Sequence, residues 1–256
     1  MSIICVSSPK GGVGKTTSTA NLASGLRRLG YRVIAVDFDP QNALRLHFGL
    51  SLDDSRGFVE NAVHSEDWSS LTVEVADNLC VLPYGYPGQQ LRKTFEQYLL
   101  NPGFLRSRFT SLDKTRGTII IADLPPGDSA ALQAVASLAD LRLTVLLSDS
   151  ASVSLLPIVE SGDYYPANVP ANSRHGLVLN QVDPRSRLNS EICTFMEHRY
   201  GDEIMGLIHR DEAVSEANAK QRIVFENAPG SLAAQDIDAL VNRVMKELVR
   251  LEKRGG

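Results

Sequence analysis

No apolar stretch in these 256 residues approaches the ~18 needed for a membrane-spanning helix, so none is expected to cross a bilayer. The N-terminus lacks a basic segment followed by a long apolar one and runs directly into a strand-like run, Ile3-Ile4-Cys5-Val6. A secretory leader is therefore not expected, and a cytoplasmic location is. Cysteine is scarce: Cys5, Cys80 and Cys193 are widely spaced and form no CxxC. That argues against a disulfide framework or a cysteine-held metal, and Cys5 and Cys80, set in apolar runs, read as buried free thiols. There is no excess of positive charge, with 26 Lys and Arg against 30 Asp and Glu. A net charge of −4 does not demand a nucleic-acid partner. Tryptophan occurs once, as Trp68, and reads as packing at a loop.

The chain is 43% hydrophobic and 22% charged, ordinary for a globular protein with a substantial core. Its chemistry is concentrated in Lys10-Gly11-Gly12-Val13-Gly14-Lys15-Thr16-Thr17. The loop follows the first strand and precedes a helical pattern marked by Leu22, Ala23, Leu26 and Leu29. Taken alone, it could be a glycine-rich turn. The order strand, glycine loop, helix is the context of a phosphate-binding loop. Its N–H groups and the positive end of the helix dipole would hold an anion. Lys15 would neutralise the β- and γ-phosphates of a nucleotide, and the Thr16 hydroxyl would ligate Mg²⁺.

Further along, Tyr31 to Asp37 reads as a second strand closing a β-α-β unit and ending in Asp37-Phe38-Asp39-Pro40-Gln41. Pro40 stops the ladder and leaves both carboxylates at the strand end, where they could equally be turn formers. Residues 42–75 read as short helices and turns, one helix starting at Asn42 to Phe48 and one spanning Gly57 to Val63. Leu79 to Pro83 is the next strand. Two helix-like segments follow, to Leu100 and to about Leu112, broken at Asn101-Pro102-Gly103. Residues 84–112 are either a partner surface or a covering helical hairpin. Thr118 to Asp123 suits a parallel strand covered on both faces, with a carboxylate at its end. Leu141 to Leu147, Gly176 to Asn180 and Ile204 to Ile208 are further strands, and residues 152–165 resemble a short helix limited by Pro157. Leu188, Ile192, Phe195 and Met196 mark one helix face. A last helix, from about Ala233 to Leu251, carries a stripe of Val241, Val244, Met245, Leu248 and Leu251. Its basic end allows membrane contact, while the stripe suits docking on the sheet.

The loop KGGVGKTT, with Lys10 at its first position, resembles the deviant Walker A loop of the ParA/MinD family of P-loop ATPases. Asp37 to Gln41 is similar to that family's DxDPQ segment, and Asp123-Leu124-Pro125-Pro126-Gly127 to its D-x-P-P-G switch II. Leu207 to Ala213, Leu44-Arg45-Leu46 after Asp39-Pro40, and Leu232-Ala233-Ala234 resemble the cellulose-biosynthesis BcsQ branch. His209 stands where the wider family usually has Pro.

The resemblance implies an α/β fold: one P-loop NTPase domain over residues 1–256, with a mainly parallel twisted sheet and helices on both faces. It implies a homodimer closed around two ATP molecules with Mg²⁺. Lys10, Lys15 and Asp39 are the implied catalytic residues, with Lys10 crossing to the partner's phosphates and Asp39 positioning the attacking water. Asp37 is expected to hold the loop or lie near Mg²⁺. Lys10, Gly11, Gly12, Val13, Gly14, Lys15, Thr16, Thr17, Asn180 and Arg210 would bind the nucleotide. Asn180 would read adenine, although an Asn at a strand end is also a common turn former. Thr16 and, through a water, Asp123 would hold Mg²⁺, and Gly127 would turn its N–H towards a γ-phosphate. Slow hydrolysis would serve cellulose secretion through other subunits at the inner membrane, with indirect membrane contact and no DNA partner. A scaffold that holds nucleotide without hydrolysing it, or a partition ATPase, would keep the same loop. An iron–sulfur reductase of the related type would need a ligating cysteine near switch II, and Leu124 to Ala136 contains none.

Overall fold

The computed structural model describes residues 1–101, 103–113 and 117–255. Pro102, within the expected helix break, lies outside them. The apolar runs form β1 (Ser2–Ser7), β2 (Val33–Asp37), β3 (Val73–Ala76), β4 (Leu79–Leu82), β5 (Ile119–Asp123), β6 (Leu141–Leu147), β7 (Arg174–Val182) and β8 (Ile204–His209). They make one sheet in the order β3-β4-β2-β5-β1-β6-β7-β8. Every neighbouring pair is parallel except β3 with β4. β1, β2 and β5 are buried along their whole length, as strands covered on both faces must be.

The helices are α1 (Lys15–Arg28), α2 (Val59–Ala62), α3 (Gln89–Leu99), α4 (Phe104–Leu112), α5 (Ala130–Ala136), α6 (Ser150–Val153), α7 (Leu156–Glu160), α8 (Arg187–Tyr200), α9 (Glu212–Ala219), α10 (Val224–Asn227) and α11 (Leu232–Gly255). Alternation along the strands sends side chains to two faces. On one face Ile4, Val6, Val178 and their neighbours pack with Leu22, Leu26, Val241 and Val244 from α1 and α11. On the other, Ile3, Cys5, Ile34 and Ile120 pack with Phe95, Phe109 and Leu132 from α3, α4 and α5. Leu177 and Leu179 pack with Leu156, Ile192 and Met196 from α7 and α8. The α/β architecture and parallel sheet expected from the sequence are therefore present.

Several details differ from expectation. β3 begins within residues 42–75, read above as helices and turns, and ends at Ala76; it is a four-residue edge strand, too short to declare itself. Residues 150–160 form two short helices, because Pro157 sits in the first turn of α7, where its missing N–H costs nothing. Trp68 packs, fully buried, at the start of a 3-10 turn (Trp68–Leu71) rather than in a loop, with its ring 4.8 Å from Phe58 and its indole N–H donating to the Ala62 carbonyl. Ile192 and Met196 are buried, but Leu188 and Phe195 of the same expected face are exposed. The stripe on α11 docks: Val241, Val244 and Leu248 are buried against α1 and β8. Gly25 makes room for it, since a Cβ there would lie 2.4 Å from Val241 Cγ2.

Candidate functional site

The register of the three central strands assembles the site. Asp37 of β2 and Val6 of β1 both pair with Asp123 of β5. Two strand-end carboxylates thus stand side by side, next to the point where β1 gives way to the glycine loop. In a doubly wound sheet this carboxyl edge is where ligands bind.

Gly12 and Gly14 have φ of 76° and 82°, the left-handed region that favours glycine. Gly14 is required twice over, because a Cβ there would lie 2.3 Å from Asn180 Nδ2. Among the described residues, the N–H groups of Gly12 to Thr16 donate to no protein acceptor; the first loop-to-helix bond runs from Ser18 N–H to Gly14 O. Five free donors on a left-handed loop at a helix N-terminus fit an anionic phosphate chain.

Lys15 is buried at the centre. Its Nζ lies 2.9 Å from Asp123 Oδ1 and 4.0 Å from Asp39 Oδ2. Thr16 Oγ1 donates to Asp123 Oδ2 at 2.7 Å, and Thr19 Oγ1 to Oδ1 at 3.1 Å. One buried carboxylate therefore holds the lysine and the hydroxyl together. Asp37, also fully buried, accepts the N–H of Asp39 at 2.9 Å and of Leu44 at 3.0 Å, so it holds the following loop. Burial, and then the charge of Asp123, push its pKa well above the carboxylate range. Asp39 and Asp123 outnumber the one lysine between them, an excess of negative charge that an added cation would relieve. Among the described residues, no group of three or more His, Cys, Asp or Glu side chains is arranged to hold a metal unaided. Thr16 and Asp123 could hold one only together with phosphate and water oxygens.

Lys10 points elsewhere: its Nζ sits 2.9 and 2.8 Å from the carboxylate oxygens of Asp149, in the same chain. Burial disfavours the Asp149 charge, but Lys10 and Ser152 outweigh it and lower the pKa. Gly127 of the switch II segment donates its N–H to Ser8 O at 2.9 Å, bracing that loop against the start of the phosphate loop. Asn180 Nδ2 donates to the Val13 carbonyl at 2.7 Å. Asn180 and Arg210 line a cavity of ≈ 1010 Å³ beside Gly14, Thr17 and Ser18. The wall beyond is organised by His209, whose backbone N–H and Nδ1 both lie within 2.9 Å of Asp236 Oδ2, and by Asp211, which accepts from Ala213 N and Ala233 N. A proline at 209 would lack that N–H.

The phosphate loop, Asp39 and Asp123 converge. Lys10 stands at the rim, and Asn180 and Arg210 line the adjoining cavity. Sequence reasoning missed Asp149 and Asp236. Asp149 carried a signal close to that of Asp37 and Asp123, which end their strands: it is an acidic residue two positions past the end of β6.

A phosphate loop on a parallel sheet, with a carboxylate at the end of a neighbouring strand, defines a P-loop nucleotide-binding protein. Residues 1–245 match the family described as cellulose biosynthesis protein BcsQ, and the chain belongs to that family. It is 27% identical over 243 residues to the cellulose biosynthesis protein BcsQ of Salmonella typhimurium, covering 94% of this chain and 93% of that one. The chromosome-partitioning ATPase Soj of Thermus thermophilus is 28% identical over 246 residues, with 94% of each chain covered. Among solved structures, the cell division ATPase MinD of Pyrococcus furiosus has the same fold, with a TM-score of 0.75 at 24% identity over 96% of this chain and 98% of that one. MinD of Pyrococcus horikoshii, solved with Mg-ADP, gives 0.73 at 22% identity, covering 95% of each chain. This chain is thus a ParA/MinD-type P-loop ATPase of the BcsQ family. Among the described residues, no helix is long and apolar enough to cross a membrane.

Proposed function

We propose that this chain is a Mg-ATP-dependent dimerisation switch that hydrolyses ATP slowly and supports bacterial cellulose biosynthesis through other subunits of the secretion machinery. The observation that carries the reading is the single Asp123 carboxylate bound to both Lys15 and Thr16. In that arrangement Lys15 faces the β- and γ-phosphates, and Thr16 and Asp123 hold Mg²⁺. The metal, when bound, neutralises charge on the phosphates. Phosphoryl transfer to water asks for little else beyond a positioned nucleophile. Asp39, next to Lys15, orients that water. Lys10 leaves Asp149 to meet the partner's phosphates, and Asn180 and Arg210 line the base side. The docking of α11 on α1 and β8 supports indirect rather than direct membrane contact.

One observation favours a second reading, a nucleotide-holding scaffold without turnover: Lys10 is engaged within its own chain by Asp149. Light scattering and phosphate release, measured together in Mg-ATP and in Mg-ADP, separate the two. The switch requires dimer in Mg-ATP only, decaying as phosphate appears. Nucleotide binding with neither dimer nor phosphate would overturn it in favour of the scaffold.

A further inference from the structure

Arg45 is 1% exposed and, among the described residues, donates to no carboxylate. A guanidinium stays charged in a protein, and burying one is costly unless its donors are satisfied. All five N–H groups of Arg45 are used, each on a different oxygen. Nε donates to the Asn42 carbonyl at 3.3 Å; Nη1 donates to the carbonyls of Ser51 and Asp54; Nη2 donates to the Leu52 carbonyl and the Tyr86 hydroxyl. The carboxylate of Asp54 turns away to Arg56. Arg45 thus ties four backbone carbonyls and one side-chain hydroxyl together, and only a planar fork fits that role.

What it templates is the turn that carries Asp39. Asn42 closes the turn with φ of 52°, a left-handed conformation in a residue other than glycine. Its side-chain amide is buried and, among the described residues, both polar atoms are unpartnered, so the side chain does not hold the turn. Two bonds hold its backbone: Asn42 N–H to Asp39 O at 2.9 Å, and Arg45 Nε to Asn42 O. The other end of the template is Tyr86, whose ring lies 5.3 Å from the guanidinium carbon and which is 53% exposed. The frame between the two ends is tight. A Cβ on Gly57 would lie 2.1 Å from Gly85 Cα, and Phe58 N–H donates to Pro83 O at 2.9 Å.

We propose that Arg45 is a positioning residue for hydrolysis: through Asn42 it fixes the Asp39 turn, and through Tyr86 it links that turn to the surface ahead of α3. The inference rests on the proposed role of Asp39. The test uses the full chain with Arg45→Lys, which keeps the charge but not the fork, and Tyr86→Phe, which keeps the ring but removes one acceptor. Each variant is measured for kcat and KM with Mg-ATP, for affinity towards a fluorescent ATP analogue, and for amide hydrogen exchange at Gln41 and Asn42. A misplaced Asp39 should lower kcat by roughly 10- to 100-fold with KM and analogue affinity nearly unchanged. Exchange at Gln41 and Asn42 should quicken while that of α1 stays native. If Arg45→Lys fails to fold, Tyr86→Phe carries the test. Native kcat together with native exchange overturns the proposal, as does a kcat loss matched by an equal loss of nucleotide affinity. If the unmodified chain shows no turnover, the hydrolysis reading fails, and the exchange data then decide the role of Arg45 alone: quickened exchange supports the template and native exchange overturns it.

Discussion

Lys10 Nζ is held by both carboxylate oxygens of Asp149, at 2.9 and 2.8 Å, across 139 residues of the same chain. A lysine that is to serve a partner subunit must first leave this pair. The two side chains are 23% and 41% exposed, so solvent screens the attraction and the pair contributes at most about 1 kcal/mol. Asp149→Asn keeps the acceptor for Ser152 N–H, at 2.7 Å, that caps α6. It should therefore leave the fold intact and raise the dimerisation constant in Mg-ATP by up to about fivefold for each of the two pairs that open, about 30-fold in all. Lys10→Ala should bind ATP yet stay monomeric. Sedimentation velocity on both variants checks this, and a dimeric Lys10→Ala would remove the cross-subunit role.

Truncation after Ala239 should unfold the chain. It removes Leu240, Val241, Val244 and Leu248, each no more than 3% exposed. At about 1.5–3 kcal/mol for each buried side chain, the loss rivals the roughly 5–15 kcal/mol of a whole domain. It also uncovers the Gly25 notch on α1 and the Gly206 face of β8, against which Leu240 packs. Circular dichroism melting is the measurement. A truncated chain that melts like the intact one would mean that α11 is an appendage free to serve a membrane.

The sequence made the strand-end motifs legible because continuous apolar runs and glycine spacing are local signals. Asp37, Asp39, Asp123 and the phosphate loop needed no knowledge of distant packing. β3 was invisible because Val73 to Ala76 are only four residues at a sheet edge, one of them an exposed glutamate. The Lys10–Asp149 pair was invisible because sequence carries no register between segments so far apart. Arg45 read as part of an ordinary helical start, since four of its five partners are backbone carbonyls, and these leave no trace in side-chain pattern. The function motifs were thus easier to read than the contacts that support them.

His175 should make stability depend on pH. Burial, then the charges of Arg142 and Arg174, push its pKa from 6.5 down to about 4. Exposed Glu203, at 3.8 Å, does not offset them. The ring also meets Thr144 Oγ1 at 3.0 Å and packs edge-on against Tyr165. A depressed pKa means the unfolded chain binds the proton more readily. The stabilisation is therefore complete above about pH 6.5 and is lost as pH falls towards about 4. Its size is at most about 3 kcal/mol. Urea titrations from pH 7 to pH 4 should show the chain losing stability relative to His175→Gln as pH falls. Parallel curves would mean that His175 charges without penalty.

Asp39→Asn isolates charge from geometry. Asp39 Oδ1 accepts the Gln41 N–H at 2.9 Å, and an asparagine oxygen can do the same, so the turn should survive. The Asp39 oxygen 4.0 Å from Lys15 becomes a neutral amide. Lys15, Thr16 and the loop N–H groups still face the phosphates, so Mg-ATP affinity measured by calorimetry should fall little. The water that Asp39 would orient loses its acceptor, so turnover should drop by roughly 10²–10⁴. Dimers formed in Mg-ATP should then outlast those of the unmodified chain, because the step that ends them is slowed. Lys15→Ala is the contrast: it strips the nearest cation from Asp39, Asp123 and the phosphates alike, and should lose about 10²-fold in affinity. An Asp39→Asn chain that hydrolyses ATP at the normal rate would assign water positioning to another group and leave Asp39 as a turn former alone.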